Sequence, residues 1–361
     1  MHTRMDHLDT THGRLCLPVF LPDATRAVVR TLDSADLEAC GVQGLVVNAF
    51  HLGNHPGAGA VGAVGGLHAF MGWNRPVLCD SGGFQVYSLL SQSPKLGSVT
   101  RKGFHYRLEP GQDGKTLTPA GSIQRQLRMG SDIVVCLDHC THPDAPADEQ
   151  EASVEHTILW ARACRKEFDR LTESRSTRPL LFAVVQGGGI EALRRRCAQE
   201  LVAIGFDGYG FGGWPIDGEG QLHETVQLVA ECLPPEAPKW ALGIGKPEHV
   251  VTAAGWGYEL FDCALPTRDA RRGRLYAARS GMDAAGGGEG FERIYMLDDK
   301  HIRDDSPVDA HCDCLCCRRY SRAYLRHLFA IRDGLAFRLA TIHNLRLYTR
   351  LMEWLRADQA G

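Results

Sequence analysis

Eight short apolar runs, most of them separated by helix-like stretches, set the tightest limit on how this chain can fold. The runs fall at residues 17–20, 45–47, 77–79, 133–137, 181–185, 208–211, 240–243 and 259–261. Helical patterns lie between them at 33–40, 119–129, 149–171, 190–204 and 220–232. Asp33 and Ser34 stand in capping positions, Pro119 opens its helix and Gly130 stops it. This alternation predicts an α/β chain. Roughly eight β/α units in about 260 residues predict a (β/α)8 barrel of the TIM type rather than an open doubly wound sheet. No Gly-x-Gly-x-x-Gly opens a helix after the first strand, which weighs against a dinucleotide fold.

The 361 residues, 44% of them hydrophobic, suffice for one large core and an appendage. The start, Met-His-Thr-Arg-Met-Asp-His, lacks an apolar signal core. No stretch approaches the roughly 18 apolar residues of a spanning helix, so a cytoplasmic protein with no membrane partner is expected. Of 13 cysteines, those scattered singly through apolar segments (Cys79, Cys136 and Cys232, for example) read as buried small hydrophobes. The four between Cys312 and Cys317 are different in kind. A net charge of −3 argues against bulk attraction to nucleic acid but leaves room for a local basic patch.

The residues that follow the strands carry the chemistry. Asn48 follows the second run, Asp80-Ser81-Gly82-Gly83 the third and Asp138 the fourth. Gln186-Gly187-Gly188 follows the fifth, Gly212-Gly213 the sixth and Asp262 the last. A barrel gathers such positions on the rim at the C-terminal ends of its strands. Asp and Gly are ordinary turn residues, and any one position reads that way. Six strand ends out of eight do not. A carboxylate leaving a buried strand is costly to place without a partner or a use.

Cys312-Asp313-Cys314-Leu315-Cys316-Cys317 is followed by a helix-like segment that carries His343. Three thiolates and an imidazole make a closed, structural zinc site. The loop at 303–313 has little apolar content and depends on metal to hold its shape. Spacing leaves both Cys-x-Cys-x-Cys and Cys-x-Cys-x-x-Cys open, and His311 and His327 compete with His343.

With these residues in view, the chain resembles the tRNA-guanine transglycosylases. The likeness is carried by residues 75–86 (RPVLCDSGGFQV), 130–138 (GSDIVVCLD), 185–188 (VQGG) and 261–268 (FDCALPTR), and by Cys312-x-Cys-x-x-Cys317 with His343. Weaker matches are 65–68 (GGLH) and 243–247 (GIGKP), and the order is kept from about Leu17 to Leu351. That family exchanges guanine at the anticodon wobble position of tRNA for a 7-deazaguanine, on a barrel with an inserted zinc subdomain. The resemblance implies a barrel catalytic domain at residues 1–290. It also implies a zinc-binding subdomain with C-terminal helices closing on the barrel at 291–361, and one structural Zn²⁺ per subunit held by Cys312, Cys314, Cys317 and His343.

The same resemblance assigns roles. Asp262 becomes the nucleophile that attacks ribose C1′, and Asp80 the general acid/base at purine N9. Asp138 accepts from the ring N1–H and the exocyclic amine, Gln186 and the Gly213 N–H donate to the carbonyl oxygen, and Asn48 helps orient Asp262. Ser81, Gly82, Phe84 and Trp214 complete the base pocket, with Phe84 placed to stack. Thr267, Arg268 and Arg271 are expected to contact the anticodon loop. A second arginine group, Arg318, Arg319, Arg322 and Arg326, could contact RNA or form a solvated face. Partners implied are a tRNA with a wobble guanine, a free deazaguanine and a second copy of the chain.

The pattern departs from bacterial members at Trp214-Pro215-Ile216-Asp217-Gly218-Glu219, where a small aliphatic step ending in Glu is usual. It departs also at His139, in place of Glu, and at Ala49-Phe50, in place of Thr-Tyr. Pro215 removes an N–H on the side that receives the 7-substituent. The incoming base therefore stays open among guanine, aminomethyl- and cyano-deazaguanine (preQ1 and preQ0) and queuine. A DNA-modifying relative would carry extra DNA-gripping segments, and a non-catalytic accessory subunit would not need both Asp80 and Asp262. A generic zinc barrel hydrolase leaves Asp138 with Gln186 unexplained.

Overall fold

The structure, a computed structural model, describes residues 5–279 and 290–360. Its centre is one sheet of eight strands: β1 (Val19–Pro22), β2 (Leu45–Asn48), β3 (Val77–Asp80), β4 (Ile133–Val135), β5 (Leu180–Val185), β6 (Gly208–Phe211), β7 (Lys239–Leu242) and β8 (Leu260–Cys263). Neighbours follow chain order and pair parallel throughout, and β8 pairs with β1. A parallel bridge between Asp23 and Val46 joins β1 to β2 and brings the ring to closure. The expected (β/α)8 barrel is thus present, with every predicted strand within two or three residues of its observed limits. Among the described residues no helix is long and apolar enough to cross a membrane.

Side chains alternate strictly along these strands. Val19, Leu21, Val46, Leu78, Ile133, Val135, Phe182, Val184, Trp240 and Leu260 form one buried cluster inside the barrel. Phe20, Val134, Leu181, Ala183, Val185, Ala241 and Phe261 pack outward against the helices. The alternation aims the functional groups. Asn48, Asp80, Gln186 and Asp262 each stand two residues beyond an inward-facing residue, so they continue the inner row out of the mouth.

The helices begin and end where local chemistry says. Asp33 caps Ser34–Ala39 through the Asp36 N–H, and Thr118 caps Pro119–Met129 through the Gly121 N–H, with Gly130 ending that helix left-handed. A three-stranded antiparallel insert (Gly97–Thr100, Gly103–Tyr106, Lys115–Leu117) interrupts the connection from β3 to β4. At the opposite end of the barrel, the N-terminal hairpin His7–Thr10 with Gly13–Cys16 is fastened by Asp132. That buried carboxylate accepts from His12 (2.7 Å), His68 (3.1 Å) and the Val77 N–H (2.8 Å). The two imidazoles stack with centroids 3.5 Å apart and an angle of 18°. Parallel planes cannot both contain one ion, so the cluster works as a latch rather than a metal centre.

After β8 come the short helix Leu265–Arg271, the hairpin strands Arg274–Ala278 and Phe291–Tyr295, the helices Leu315–Arg319 and Arg322–Ala330, and the long helix Gly334–Ala360. The last helix returns to the barrel. Tyr348 lies against Phe20 (4.6 Å) and donates to the Gly245 carbonyl, Thr349 donates to the Cys40 carbonyl (2.6 Å), and Arg356 donates to the Pro18 carbonyl (2.7 Å). It covers β1, where the ring would otherwise lack its final helix.

Candidate functional site

At the mouth, Asn48 and Asp80 are paired in register between β2 and β3. The Asn48 amide donates to Asp80 (2.7 Å) and to Gln85 (2.8 Å), while its carbonyl oxygen accepts the N–H groups of Phe50 and His51. Asn48 was expected to orient Asp262; its side chain is instead committed to Asp80, the carboxylate its own register places beside it. Burial pushes the Asp80 carboxyl up to about 7, helped by the nearby Asp138 and Asp262 and opposed by the Ser81 and Gly82 N–H groups. Gly82 enters the following helix at φ +86, and a Cβ there would sit 2.5 Å from that of Phe50. Only glycine fits this turn.

Asp262 faces its own donor. The Trp240 indole N–H reaches Oδ1 at 2.8 Å and the Gly243 N–H reaches the same oxygen at 3.4 Å. Both bonds fall on Oδ1, so neither donor occupies Oδ2. Burial pushes this carboxyl up to about 7 as well. Trp240 escaped the sequence analysis, although its inward parity on β7, two residues before Leu242 and beside Leu260, is legible in hindsight.

The third carboxylate, Asp138, is buried and accepts from the Gln186 amide at 2.6 Å and from the Ser81 hydroxyl at 3.4 Å. Burial raises it to about 6 against those two bonds. Gly213 stands beside this pair at φ +97. An aromatic group edges the pocket: Trp214 lies 5.5 Å from Phe84, 6.0 Å from Tyr87 and 5.3 Å from His142, and Phe84 is 43% exposed. The atypical loop is tied down, since the Pro215 carbonyl accepts from the His223 N–H (2.8 Å) and the Asp217 carboxylate accepts from the Glu219 and Gln221 N–H groups. His139 points away from the mouth, packed against Phe104, Trp160 and His156, and burial draws its pKa down to about 4.

Of the three residues expected at RNA, Thr267 is corrected. It is 3% exposed, and its hydroxyl donates to the Ala264 carbonyl at 3.3 Å. Helix Leu265–Arg271 buries Pro266, Thr267, Asp269 and Ala270, so its phase turns Thr267 inward while Arg268 faces solvent. Arg271 is half-buried with a guanidinium nitrogen, Nη1, that has no hydrogen-bond partner. Burial lowers its pKa, and Arg30, Arg268 and Arg272 crowd it. The Asp23 carboxylate opposes this crowding. In the second arginine group, Arg322 bonds the Val308 carbonyl (2.8 Å) and Arg326 pairs with Asp299 (2.7 Å), so both are engaged within the chain.

The ligand atoms of Cys312, Cys314, Cys317 and His343 lie within 4.8 Å of one another and could hold a metal ion. The His343 ring donates through Nε2 to the Tyr276 carbonyl (2.7 Å), which presents Nδ1 to Cys317 Sγ at 3.2 Å. Cys316 is fully buried and stands outside this group, so the converging cysteines follow the Cys-x-Cys-x-x-Cys spacing. Three thiolates and one oriented imidazole fit a closed tetrahedral ion.

A family model described as "Queuine tRNA-ribosyltransferase" matches residues 1–358. The chain is 40% identical to the queuine tRNA-ribosyltransferase of Desulfosudis oleivorans, over 99% of the chain and 89% of the relative. It is 38% identical to that of Syntrophobacter fumaroxidans (98% and 90%) and 39% identical to that of Shewanella baltica (97% and 91%).

Proposed function

The chain belongs to the queuine tRNA-ribosyltransferase family, and from that premise we propose that it exchanges a guanine in tRNA, at the anticodon wobble position, for a 7-deazaguanine. The observation that carries this reading is the pair of carboxylates raised to about 7 at one barrel mouth, Asp80 and Asp262, beside a base-reading pair, Asp138 with Gln186. Guanine presents donor, donor and acceptor along one edge. Asp138 takes the N1–H and the exocyclic amine. The Gln186 amide nitrogen has two hydrogens, of which Asp138 occupies one, and with the Gly213 N–H it serves the carbonyl oxygen.

In the first displacement Asp262 Oδ2 forms a bond to ribose C1′ as the C1′–N9 bond breaks, and the departing purine takes its N9 proton from Asp80. The incoming base returns a proton to Asp80, and its N9 displaces the Asp262 carboxylate. Two inversions retain the configuration, by the carboxylate logic of retaining glycosidases. The wobble nucleotide must leave its stack to reach the pocket, and Phe84 offers a stacking face. Arg268 and Arg271 hold the flanking phosphates. Zn²⁺, held by Cys312, Cys314, Cys317 and His343, would shape the segment behind them and take no part in the displacement. We assign residues 1–290 to the catalytic domain and 291–361 to the zinc-binding subdomain, in a cytoplasmic homodimer.

The test is entry of radiolabelled guanine into tRNA and, separately, into duplex DNA. Label in tRNA, lost in Asp262→Asn together with a denaturation-resistant protein–RNA adduct, is the expected result. Label only in DNA, or in neither, defeats the proposal. Competition among guanine, preQ1, preQ0 and queuine then identifies the incoming base.

A further inference from the structure

Arg194 lies beside this site and has no part in the mechanism given above. It sits on helix Glu191–Ile204, 1% exposed, with its guanidinium 4.4 Å from the Phe211 ring centroid. Burial draws its pKa down to about 10, so it remains charged at neutral pH. Its hydrogen bonds go to carbonyls: Nη1 to Val185 (2.7 Å) and Gly212 (2.8 Å), and Nε to Gly188 (2.9 Å). A cation buried without a carboxylate is expensive. This one joins the loop after β5, which carries Gln186, to the loop after β6, which carries Gly213.

The Gly212 carbonyl and the Gly213 N–H belong to one planar trans peptide, so they point in opposite directions. With the carbonyl fixed on Arg194, on the helix side, the N–H is fixed toward the mouth. A cation on the carbonyl oxygen also polarises the peptide and strengthens its N–H as a donor. Gly213 has φ +97, a conformation that favours glycine, and a Cβ there would lie 3.3 Å from Arg194 Nη2.

Resting on the reading of the site as a guanine pocket, we propose that Arg194 is a positioning residue for the base: it locks the Gly212–Gly213 peptide with its N–H toward the purine carbonyl oxygen and strengthens that bond as the base departs. When C1′–N9 breaks, the bonding electron pair passes to the purine, and part of the charge reaches the carbonyl oxygen until Asp80 protonates N9. Loss of a preorganised donor at such an oxygen costs about 10²–10³ in rate. Arg194 acts through the peptide, so its removal should cost less, about 10- to 100-fold.

Arg194→Met and Arg194→Lys are compared with the wild type for kcat, for KM with tRNA, and for inhibition by guanine and by 2-aminopurine, which lacks the carbonyl oxygen. In Arg194→Met, guanine should bind about tenfold more weakly, while 2-aminopurine and KM for tRNA stay within about twofold. Arg194→Lys, with one donor in place of the fork, should fall between. Equal losses for both bases, or an unchanged ratio between them, overturn the assignment. If Arg194→Met does not fold, the ratio in Arg194→Lys decides in the same way. A wild-type protein that exchanges no guanine overturns the proposed function and this inference with it, whereas an active wild type with an unchanged ratio in the variants overturns only the role of Arg194.

Discussion

Asp80, Asp138 and Asp262 share one mouth, and burial raises all three carboxyls, to about 7, 6 and 7. A carboxyl raised in the folded state keeps its proton between its unfolded value, 3.8, and its folded one, where the unfolded chain has released it. The stability it contributes is therefore full below about pH 4 and is lost as pH rises through about 7. Asp80→Asn should remove part of that loss: on the order of 2 kcal/mol more stable than the wild type at pH 8, and indistinguishable at pH 4. Calorimetry of the ligand-free proteins across that range reads the difference, and parallel curves would refute it. At this scale the sequence was informative where parity alone sufficed. Asn48, Asp80, Gln186 and Asp262 follow inward residues by two. Trp240 and Arg194 were not found, because what they do depends on a neighbouring strand or loop brought close by the fold.

At the scale of the element, helix phase decided what spacing could not. Cys314 caps Leu315–Arg319, its sulfur accepting the Cys317 N–H, and one turn brings those two cysteines to the same side while Cys316 stands outside the group. The same effect turns Thr267 inward and leaves Arg268 exposed to solvent. Metal analysis should therefore find one zinc per chain in the wild type and in Cys316→Ser, and none bound in Cys317→Ser. Chelation should loosen the segment 299–333 to proteolysis before the barrel, since the loop at 303–313 has little apolar content of its own. Retention of zinc in Cys317→Ser would return the choice to Cys316.

The whole molecule is organised by the return of helix Gly334–Ala360 to β1 after the zinc segment, with Arg338 paired to Asp36 and Asn344 donating to the Pro266 and Arg274 carbonyls. That segment exposes Tyr295, Leu297, Ile302, Tyr324 and Ile331, all within residues 295–331. If they meet a second copy, sedimentation should give about twice 39.7 kDa, and Leu297→Glu with Ile331→Glu should give the single mass. A wild-type monomer would remove the homodimer from the proposal. The sequence by itself determined the barrel, the order of its strands, which residues stand at their ends, and the cysteine-rich stretch. These follow from period and spacing, which are properties of a chain taken a few residues at a time. Tertiary structure alone decided that Asn48 holds Asp80, that Trp240 holds Asp262, that Arg194 holds the Gly212 carbonyl, and which cysteine faces His343. Each of those is a contact between residues distant in sequence or a choice of helix face, and only the assembled fold fixes either one.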